Sequence, residues 1–314
     1  MQVDDTPHRI PELWFEDGNI VIQAENSQFR VHRGILAACS AVFKDMLSFP
    51  QPADVELVEG CPVVHLTDAP TEVTVFLRAI FVPDYFMPFP AKTEYEIIRG
   101  CLRLSHKYGV EHLRLRALVH FSSRFRTTLS QYNDARYPYH DSGSIGRPQS
   151  DIISWLPGGV SSEMSCIQLA REVNAPWVLP LAFYTLSDSL GQRCTTVGEF
   201  IRGTTRNGLS VAISPEDQES FLSGHIRQTQ FSTTRILAVF WSPIEMPECR
   251  SLIKCLKGPL SAVNTMQEAI SECPSIPLEI WVESDFDMES WDHGICMSCR
   301  EQLQRAHQAV REKF

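Results

Sequence analysis

The sequence lacks a long apolar run and any sign of an export signal. No segment approaches the roughly 18 consecutive apolar residues that a membrane-spanning helix needs. The first residues, MQVDDTPHRI, are polar and acidic, whereas a signal peptide begins with basic residues and an apolar stretch. We therefore expect a cytoplasmic or nuclear protein without a membrane partner. In those compartments its ten cysteines would be reduced thiols or metal ligands and would not form a disulfide framework.

Motifs of the common enzyme classes are missing as well. The chain has no glycine-rich phosphate loop, no G-x-S-x-G nucleophile elbow and no H-E-x-x-H metal helix. It also has no series of repeats of about 50 residues, which would indicate a propeller. We therefore predict that the protein is not an enzyme and that it has no catalytic or organic-cofactor site.

The sequence has fewer basic than acidic residues. The chain carries 28 Lys and Arg residues against 38 Asp and Glu residues, a net charge of -10. Binding of nucleic acid or of an anionic membrane would therefore require a local basic patch. Residues 101–126 are the most basic stretch. We interpret them as a solvated helix face, because no base-reading fold or series of stacking aromatic residues accompanies them.

A specific pattern is present at residues 29–47, FRVHRGILAACSAVFKDML. Apolar residues recur there at spacings of three and four, as they do on the buried face of a helix. These residues are Leu36, Cys39, Phe43, Met46 and Leu47. Ser40 lies in the middle, where its hydroxyl is predicted to cap a second helical segment. Upstream, Asp17 and Gly18 separate two short apolar runs and predict a β-hairpin between them.

The same stretch resembles the signature of the BTB/POZ domain. The residues that carry the resemblance are Phe29, Val31, His32, Arg33, Leu36, Ser40, Phe43 and Met46. A second segment, LSHKYGVEHLRLRAL at residues 104–118, resembles the helices that close this domain. The resemblance covers residues 13–128 and is greatest to the BTB/POZ proteins that are numerous in fungi. It implies an α+β fold in which a short sheet is joined to a helical core.

The rest of the chain is predicted to be a linker followed by helices. Residues 129–159 are assigned to the linker, because Pro, Gly, Ser and Asp dominate residues 137–150. Residues 160–314 are predicted to be a mostly α-helical C-terminal region. Within it, Ser214 followed by Pro215 favours a helix start. Residues 167–187 also resemble the region after the BTB/POZ domain of the fungal proteins, but this resemblance implies no function.

The best candidate for a metal site is the pair Cys296-x-x-Cys299, because two thiolates at this spacing commonly form half of a tetrahedral zinc site. Cys249 and Cys255 would supply the other half, although their spacing is wider than usual. The resulting structural zinc ion would clip residues near 250 to the last helix. Further candidates are Cys273 and His293. The alternative is that these cysteines are small apolar residues of a helical core.

The resemblance to the BTB/POZ family implies protein–protein interaction, often through the first helix. We therefore expect protein contacts at Ile35, Leu36, Phe43 and Met46. The segment VPDYFMPFP at residues 82–90 combines prolines with aromatic residues, and it fits either a packed loop or a binding surface. Its candidate contact residues are Tyr85, Phe86 and Phe89.

Two roles within the family compete, a substrate adaptor of a cullin ubiquitin ligase and a dimeric scaffold. Cullin adaptors commonly carry a hydrophobic-x-Glu motif between the third and fourth helices, whereas here the triplet ending at Glu94 begins with Lys92. The resemblance implies that a strand-swapped homodimer would use an N-terminal segment. Few residues precede Trp14 in this chain, so the sequence is compatible with either a monomer or a homodimer. The alternative from another class is a zinc-stabilised, nucleic-acid-binding transcriptional regulator.

Overall fold

A computed structural model describes residues 7–49, 56–136, 155–191, 197–241, 249–253, 255–257, 277–278 and 296–314. The chain divides into two compact units. The first comprises Met1–Arg126, Asn133–Gly158 and Leu169–Val178, and the second comprises Thr127–Tyr132, Gly159–Gln168 and Leu179–Phe314. The domain limits that we drew from the sequence stay a prediction, and residues 137–154 of the predicted linker lie outside the described residues.

The first unit contains a mixed sheet of short strands. These are β1 (His8–Trp14), β2 (Ile20–Ala24), β3 (Ser27–Val31), β4 (Leu57–Val58) and β5 (Cys61–Leu66). Their order across the sheet is β1-β3-β2-β5-β4. The β2–β3 and β4–β5 pairs are antiparallel, whereas β1 runs parallel to β3 and β5 runs parallel to β2.

The predicted hairpin across Asp17 and Gly18 is wrong. The tight turn lies one connection later, where Glu25 adopts a positive φ of 45° and Ala24 pairs with Ser27. Because β3 and β5 occupy the two edges of β2, β1 cannot pair with β2, and it adds instead to the outer edge of β3. Gly18 is needed at this crossing, since a Cβ atom there would lie 2.8 Å from the side chain of Arg30.

Helices cover the sheet and complete the α+β fold that the sequence predicted. They are α1 (Arg33–Cys39), α2 (Ala41–Ser48), α3 (Pro70–Phe81), α4 (Tyr95–Tyr108) and α5 (Glu111–Ser122). The predicted interruption at Ser40 is confirmed, because this residue is extended and its Oγ accepts a hydrogen bond from the Phe43 N–H at 2.9 Å. The capped break turns α2 so that Phe43 enters the core.

Aromatic rings fill the centre of the first unit. The ring of Phe43 stacks on that of Tyr108 with centroids 4.8 Å apart, and Phe76 lies 5.9 Å from Tyr108. Trp155, which lies in the span predicted as a linker, is buried and stacks on Tyr95 with centroids 5.9 Å apart. The large aromatic residues therefore join α2, α3 and α4 into one core.

A buried carboxylate joins the end of β5 to α4. The side chain of Asp68 is 1% exposed and accepts hydrogen bonds from Tyr108 Oη at 2.5 Å and from Lys107 Nζ at 2.7 Å. Arg103 Nη1 adds a contact at 3.2 Å. Burial alone would raise the pKa of Asp68, but the hydrogen bonds from Lys107 and Tyr108 outweigh it and hold the pKa below its ordinary value.

Beyond α5 the described chain is mostly helical, as predicted. Its helices are α6 (Leu129–Arg136), α7 (Val160–Glu172), α8 (Leu179–Gly191), α9 (Val197–Arg202), α10 (Pro215–Phe231), α11 (Ala238–Trp241) and α12 (Met297–Arg311). A small hairpin, β6 (Thr204–Arg206) and β7 (Leu209–Val211), precedes α10. The predicted start of α10 is confirmed, since Ser214 Oγ accepts a hydrogen bond from the Asp217 N–H at 3.2 Å.

The last helix, α12, presents one buried face. The buried residues are Cys299, Leu303, His307 and Arg311, at successive spacings of four. Arg311 Nε donates a hydrogen bond to the carbonyl of Leu278 at 3.1 Å. Burial lowers the pKa of His307 to about 4, so that its imidazole is neutral near pH 7. None of the described helices is long and apolar enough to cross a lipid bilayer.

Replacement of Asp68 by Asn should destabilise the full-length chain. The neutral amide weakens the charge-assisted hydrogen bonds from Lys107 and Tyr108, at a cost of about 2 kcal/mol. Because the pKa of Asp68 is lowered in the folded protein, its contribution is complete above the ordinary pKa of about 3.9 and is lost as the pH falls through the folded-state value. Thermal unfolding should therefore show a lower Tm for D68N at pH 7 and a shrinking difference below pH 4.

The control is Glu111→Gln, which removes an exposed carboxylate that pairs with Arg114 at 2.7 Å. This pair is screened by solvent, so E111Q should change the Tm less than D68N does. Equal Tm values for D68N and wild type at pH 7 would contradict the structural role of Asp68.

Candidate functional site

The proline- and aromatic-rich loop after α3 is held on α5 by two side chains of that helix. Arg116 Nη1 donates a hydrogen bond to the Phe86 carbonyl at 2.7 Å, and His120 Nε2 lies 2.9 Å from the Met87 carbonyl. A carbonyl only accepts, so Nε2 of His120 carries the proton. Burial lowers the pKa of His120 and keeps the imidazole neutral near pH 7. The loop is thus fixed on the helix surface.

Its aromatic residues divide between the core and the surface. Phe86 is buried and packs on His120 with ring centroids 5.0 Å apart, whereas Phe89 is 37% exposed. Tyr85 is half-buried, and the guanidinium of Arg78 lies 5.6 Å from the centroid of its ring. The loop therefore matches both sequence-based interpretations, because one part is packed and another faces solvent.

An apolar groove lies beside this loop. It encloses about 420 Å³, and its lining includes Phe89, Leu118, Val119, Ser122, Arg126 and Trp177. The indole Nε1 of Trp177 donates a hydrogen bond to Ser122 Oγ at 3.0 Å, which fixes one wall. Trp177 remains 43% exposed and Val119 54% exposed. We call this feature the α5 groove.

Four further exposed apolar residues were not among the predicted contact residues. They are Met87, Leu115, Val119 and Trp177, all of which are exposed. The sequence spacing could have indicated two of them. Leu115 and Val119 are four residues apart and so share one face of α5, which differs from the face that carries the buried Leu113 and Ala117. The resemblance of α5 to the closing helix of the BTB/POZ domain predicted only its buried face, formed here by residues such as Leu113 and Ala117.

The predicted contact residues of α1 and α2 behave differently from one another. Ile35 is 42% exposed and Met46 is half-buried. Leu36 and Phe43 are completely buried, as Phe86 nearly is. The prediction of Leu36, Phe43 and Phe86 as contact residues therefore needs correction, because a buried side chain offers no surface to a partner.

Ion pairs neutralise part of the basic stretch at residues 101–126. Arg103 pairs with Glu72 at 2.8 Å and with Glu172 at 3.1 Å, and Lys107 pairs with Asp68 at 2.7 Å. The interpretation of this stretch as an ordinary helix face therefore gains support over a nucleic-acid groove.

The four cysteines predicted as metal ligands lie together. The Sγ atoms of Cys249, Cys255, Cys296 and Cys299 are all within 4.8 Å of one another. Cys255 and Cys299 are buried, whereas Cys249 and Cys296 are half-buried. The backbone N–H of Cys296 donates a hydrogen bond to Cys255 Sγ at 3.3 Å. The wide spacing of the first pair is accommodated by a helical turn in which the Cys255 N–H donates to the Ser251 carbonyl.

The local environment favours a thiolate at one of these positions. Backbone hydrogen bonds from Arg250 and Cys299 lower the pKa of Cys296 to about 6, whereas burial raises the pKa of Cys255 and Cys299. In a tetrahedral zinc site with Zn–S bonds of about 2.3 Å, the sulfur atoms are separated by about 3.8 Å. The observed cluster is compatible with that geometry. Two other candidates, Cys273 and His293, lie outside the described residues.

Comparison with known protein families identifies a domain within the first unit. A model of the BTB/POZ domain matches residues 15–115, the segment that forms β2 to β5, α1 to α4 and the start of α5. No curated protein and no solved structure matches the chain. The family match covers the stretch at residues 29–47 on which the sequence resemblance was based, and the structure supplies the mixed sheet and helices expected of it. The chain is therefore a BTB/POZ domain-containing protein.

Proposed function

We propose that this protein is a non-enzymatic adaptor or scaffold that binds protein partners through its BTB/POZ domain. The BTB/POZ domain is a protein–protein interaction module. The observation that carries the proposal is the α5 groove at the edge of this domain, where Phe89 within the matched residues, and Val119 and Trp177 beyond them, expose apolar surface. Exposed apolar side chains gathered in one place mark binding surfaces more often than scattered ones do.

The rigidity of the groove supports this role. Trp177 is held by Ser122, and the loop that carries Phe89 is held by Arg116 and His120. A partner that docks here would not have to order these side chains, so less of the binding energy is lost as conformational entropy. Tryptophan in such a position is also a frequent energetic anchor of interfaces.

Both family roles fit this proposal. A scaffold needs one such surface, whereas a ubiquitin-ligase adaptor needs one surface for a cullin and another for its substrate. We favour the scaffold, because the triplet from Lys92 to Glu94 departs from the hydrophobic-x-Glu motif of the adaptors. Ile35 and Val42, both 42% exposed on α1 and α2, are candidates for a homodimer contact. Recovery of a cullin with the tagged chain would favour the adaptor.

Replacement of Val119 by Asp should weaken partner binding without unfolding the domain. The side chain is 54% exposed, so the folded state tolerates the charge, whereas an apolar partner surface does not. We expect recovery of the principal partners to fall about tenfold, which corresponds to about 1.4 kcal/mol. The measurement is quantitative mass spectrometry of proteins that co-purify with the tagged full-length chain.

The matched control is Val197→Asp, since Val197 is 44% exposed and lies on α9 outside the groove. V197D should retain the partners that V119D loses. Recovery of the same partners in the same amounts with V119D would show that the α5 groove is not their binding site.

We also propose that Cys249, Cys255, Cys296 and Cys299 bind one structural zinc ion. Four thiolates would complete a tetrahedral set and leave no open position for a substrate, which is typical of a structural site. The half-exposed positions of Cys249 and Cys296 fit metal ligands better than ordinary core residues. The proposed zinc ion would stabilise the fold. It gives no reason to favour a nucleic-acid-binding regulator, because Arg103 and Lys107 of the basic stretch pair with carboxylates.

Elemental analysis of the purified chain should therefore find about one zinc per chain. Cys299→Ser should abolish stoichiometric zinc, and removal of the ion by a chelator should lower the Tm, because the metal holds two distant segments together. The control is Cys39→Ser, a half-buried cysteine on α1 that should leave the zinc content unchanged. Absence of stoichiometric metal together with an unchanged Tm in chelator would contradict the proposal.

A further inference from the structure

A two-residue turn connects β6 to β7. Arg206 pairs with Leu209 across the hairpin, so the turn itself consists of Asn207 and Gly208. Both residues have a positive φ, 48° for Asn207 and 79° for Gly208, as a type I′ turn requires. Asparagine and glycine adopt this backbone conformation more readily than other residues, which explains their presence at the turn.

The same pair of residues carries a reactive combination of groups. Asparagine is among the thermolabile residues, because the backbone nitrogen of the next residue is able to attack its side-chain carbonyl carbon. Glycine as the next residue hinders this attack least, since it has no Cβ atom. Asn207-Gly208 is the only Asn-Gly pair in the sequence. The β6–β7 hairpin therefore holds the asparagine whose neighbour offers the least steric hindrance.

The surroundings of the turn leave the reacting groups accessible. Asn207 and Gly208 are both exposed. No atom of the described residues lies within 4 Å of the position that a Cβ atom on Gly208 would occupy. Within the described part of the chain, the Asn207 carboxamide makes no hydrogen bond that would hold it away from the Gly208 nitrogen. The turn is thus open to water and free of packing constraints.

Two other asparagines are restrained by hydrogen bonds. Asn19 Oδ1 accepts a hydrogen bond from the Arg33 N–H at 2.8 Å, which fixes its carboxamide. After Asn174, the attacking group would be the N–H of Ala175, but this N–H donates to the Ala170 carbonyl at 2.8 Å. In each case one of the two reacting groups is already engaged.

Asn26 provides the closest comparison with Asn207. It is also exposed and lies in the tight turn between β2 and β3. The next residue is Ser27, which carries a Cβ atom and pairs with Ala24 in the sheet. The two asparagines therefore share exposure and a hairpin turn, and they differ in the residue that supplies the nitrogen.

We propose that Asn207 is a site of spontaneous deamidation. The Gly208 nitrogen forms a bond to Cγ of Asn207 and loses its proton, while the side-chain nitrogen takes up that proton and leaves as ammonia. Water then opens the resulting cyclic succinimide at either of its carbonyl carbons. The products are aspartate, or isoaspartate in which the main chain runs through the former side chain. Water is the only co-reactant, and no electron transfer is involved.

Isoaspartate at position 207 disturbs the hairpin. It lengthens the main chain by a methylene group inside a turn whose strand register depends on its length. Arg206 lies next to the turn, and its Nη1 donates a hydrogen bond to Ser162 Oγ on α7 at 2.5 Å. A change in the turn therefore also weakens the contact between the hairpin and α7. This inference rests neither on the α5 groove nor on the proposed zinc ion.

Incubation of the full-length chain in mildly alkaline buffer tests the site. Alkaline conditions favour the attack, because the backbone nitrogen must lose its proton. Peptide mass spectrometry should show Asn207 deamidating at least about tenfold faster than Asn26, which corresponds to a difference of about 1.4 kcal/mol in activation free energy. A rate at Asn207 that does not exceed the rate at Asn26 would overturn the proposal.

Comparison with the chain unfolded in urea tests whether the folded hairpin leaves Asn207 reactive. Folding should slow deamidation of Asn207 by no more than about tenfold, and it should slow Asn19 and Asn174 more than Asn207. Protection of Asn207 beyond this limit would show that the turn prevents the reaction, and it would overturn the proposal for the native protein.

The substitution Asn207→Ser removes the carbonyl carbon that is attacked. The aged wild-type chain should have a lower Tm than the fresh chain, because isoaspartate accumulates in the turn, whereas fresh and aged N207S should have equal Tm values. The matched control is Asn26→Ser, which keeps Asn207 and should age as the wild type does. An unchanged Tm in aged wild type that has deamidated at Asn207 would contradict the expected disturbance of the hairpin.

Discussion

The first unit depends on the way in which Tyr108 is held at the end of α4. Its hydroxyl donates a hydrogen bond to the buried Asp68, its ring stacks on Phe43, and its carbonyl accepts a hydrogen bond from Ser40 Oγ. One residue thereby connects the sheet, through the segment after β5, with α2 and α4. A carboxylate in this position is tolerated because cationic and hydroxyl donors satisfy it, and each of those donors is placed by α4.

The surface of the domain follows from this framework. With α4 fixed by Tyr108, α5 uses Arg116 and His120 to hold the backbone of the loop after α3. These polar contacts place Phe86 inside and leave Phe89 outside. The apolar side chains that face solvent are therefore mounted on rigid elements, which is the property that a recognition surface requires.

The cysteine cluster joins two segments that are distant in sequence near the end of the chain. A short helical turn at Cys255 and the first turn of α12 meet at four sulfur atoms, and each turn exposes apolar side chains beside basic ones. The C-terminal helix is further anchored by Arg311, which donates a hydrogen bond to Leu278.

Features that depend on local patterns could be predicted from the amino-acid sequence. The spacing of Leu36, Phe43 and their neighbours predicted a buried helical face, Ser40 and Ser214 predicted helix starts, and the Cys-x-x-Cys pair predicted the cluster. The exposure of individual apolar residues depends on tertiary packing, because Phe86 and Phe89 belong to one loop and only Phe86 is buried. It also decided the place of β1, since strand order depends on which sheet edges remain free, and that is a property of the assembled fold.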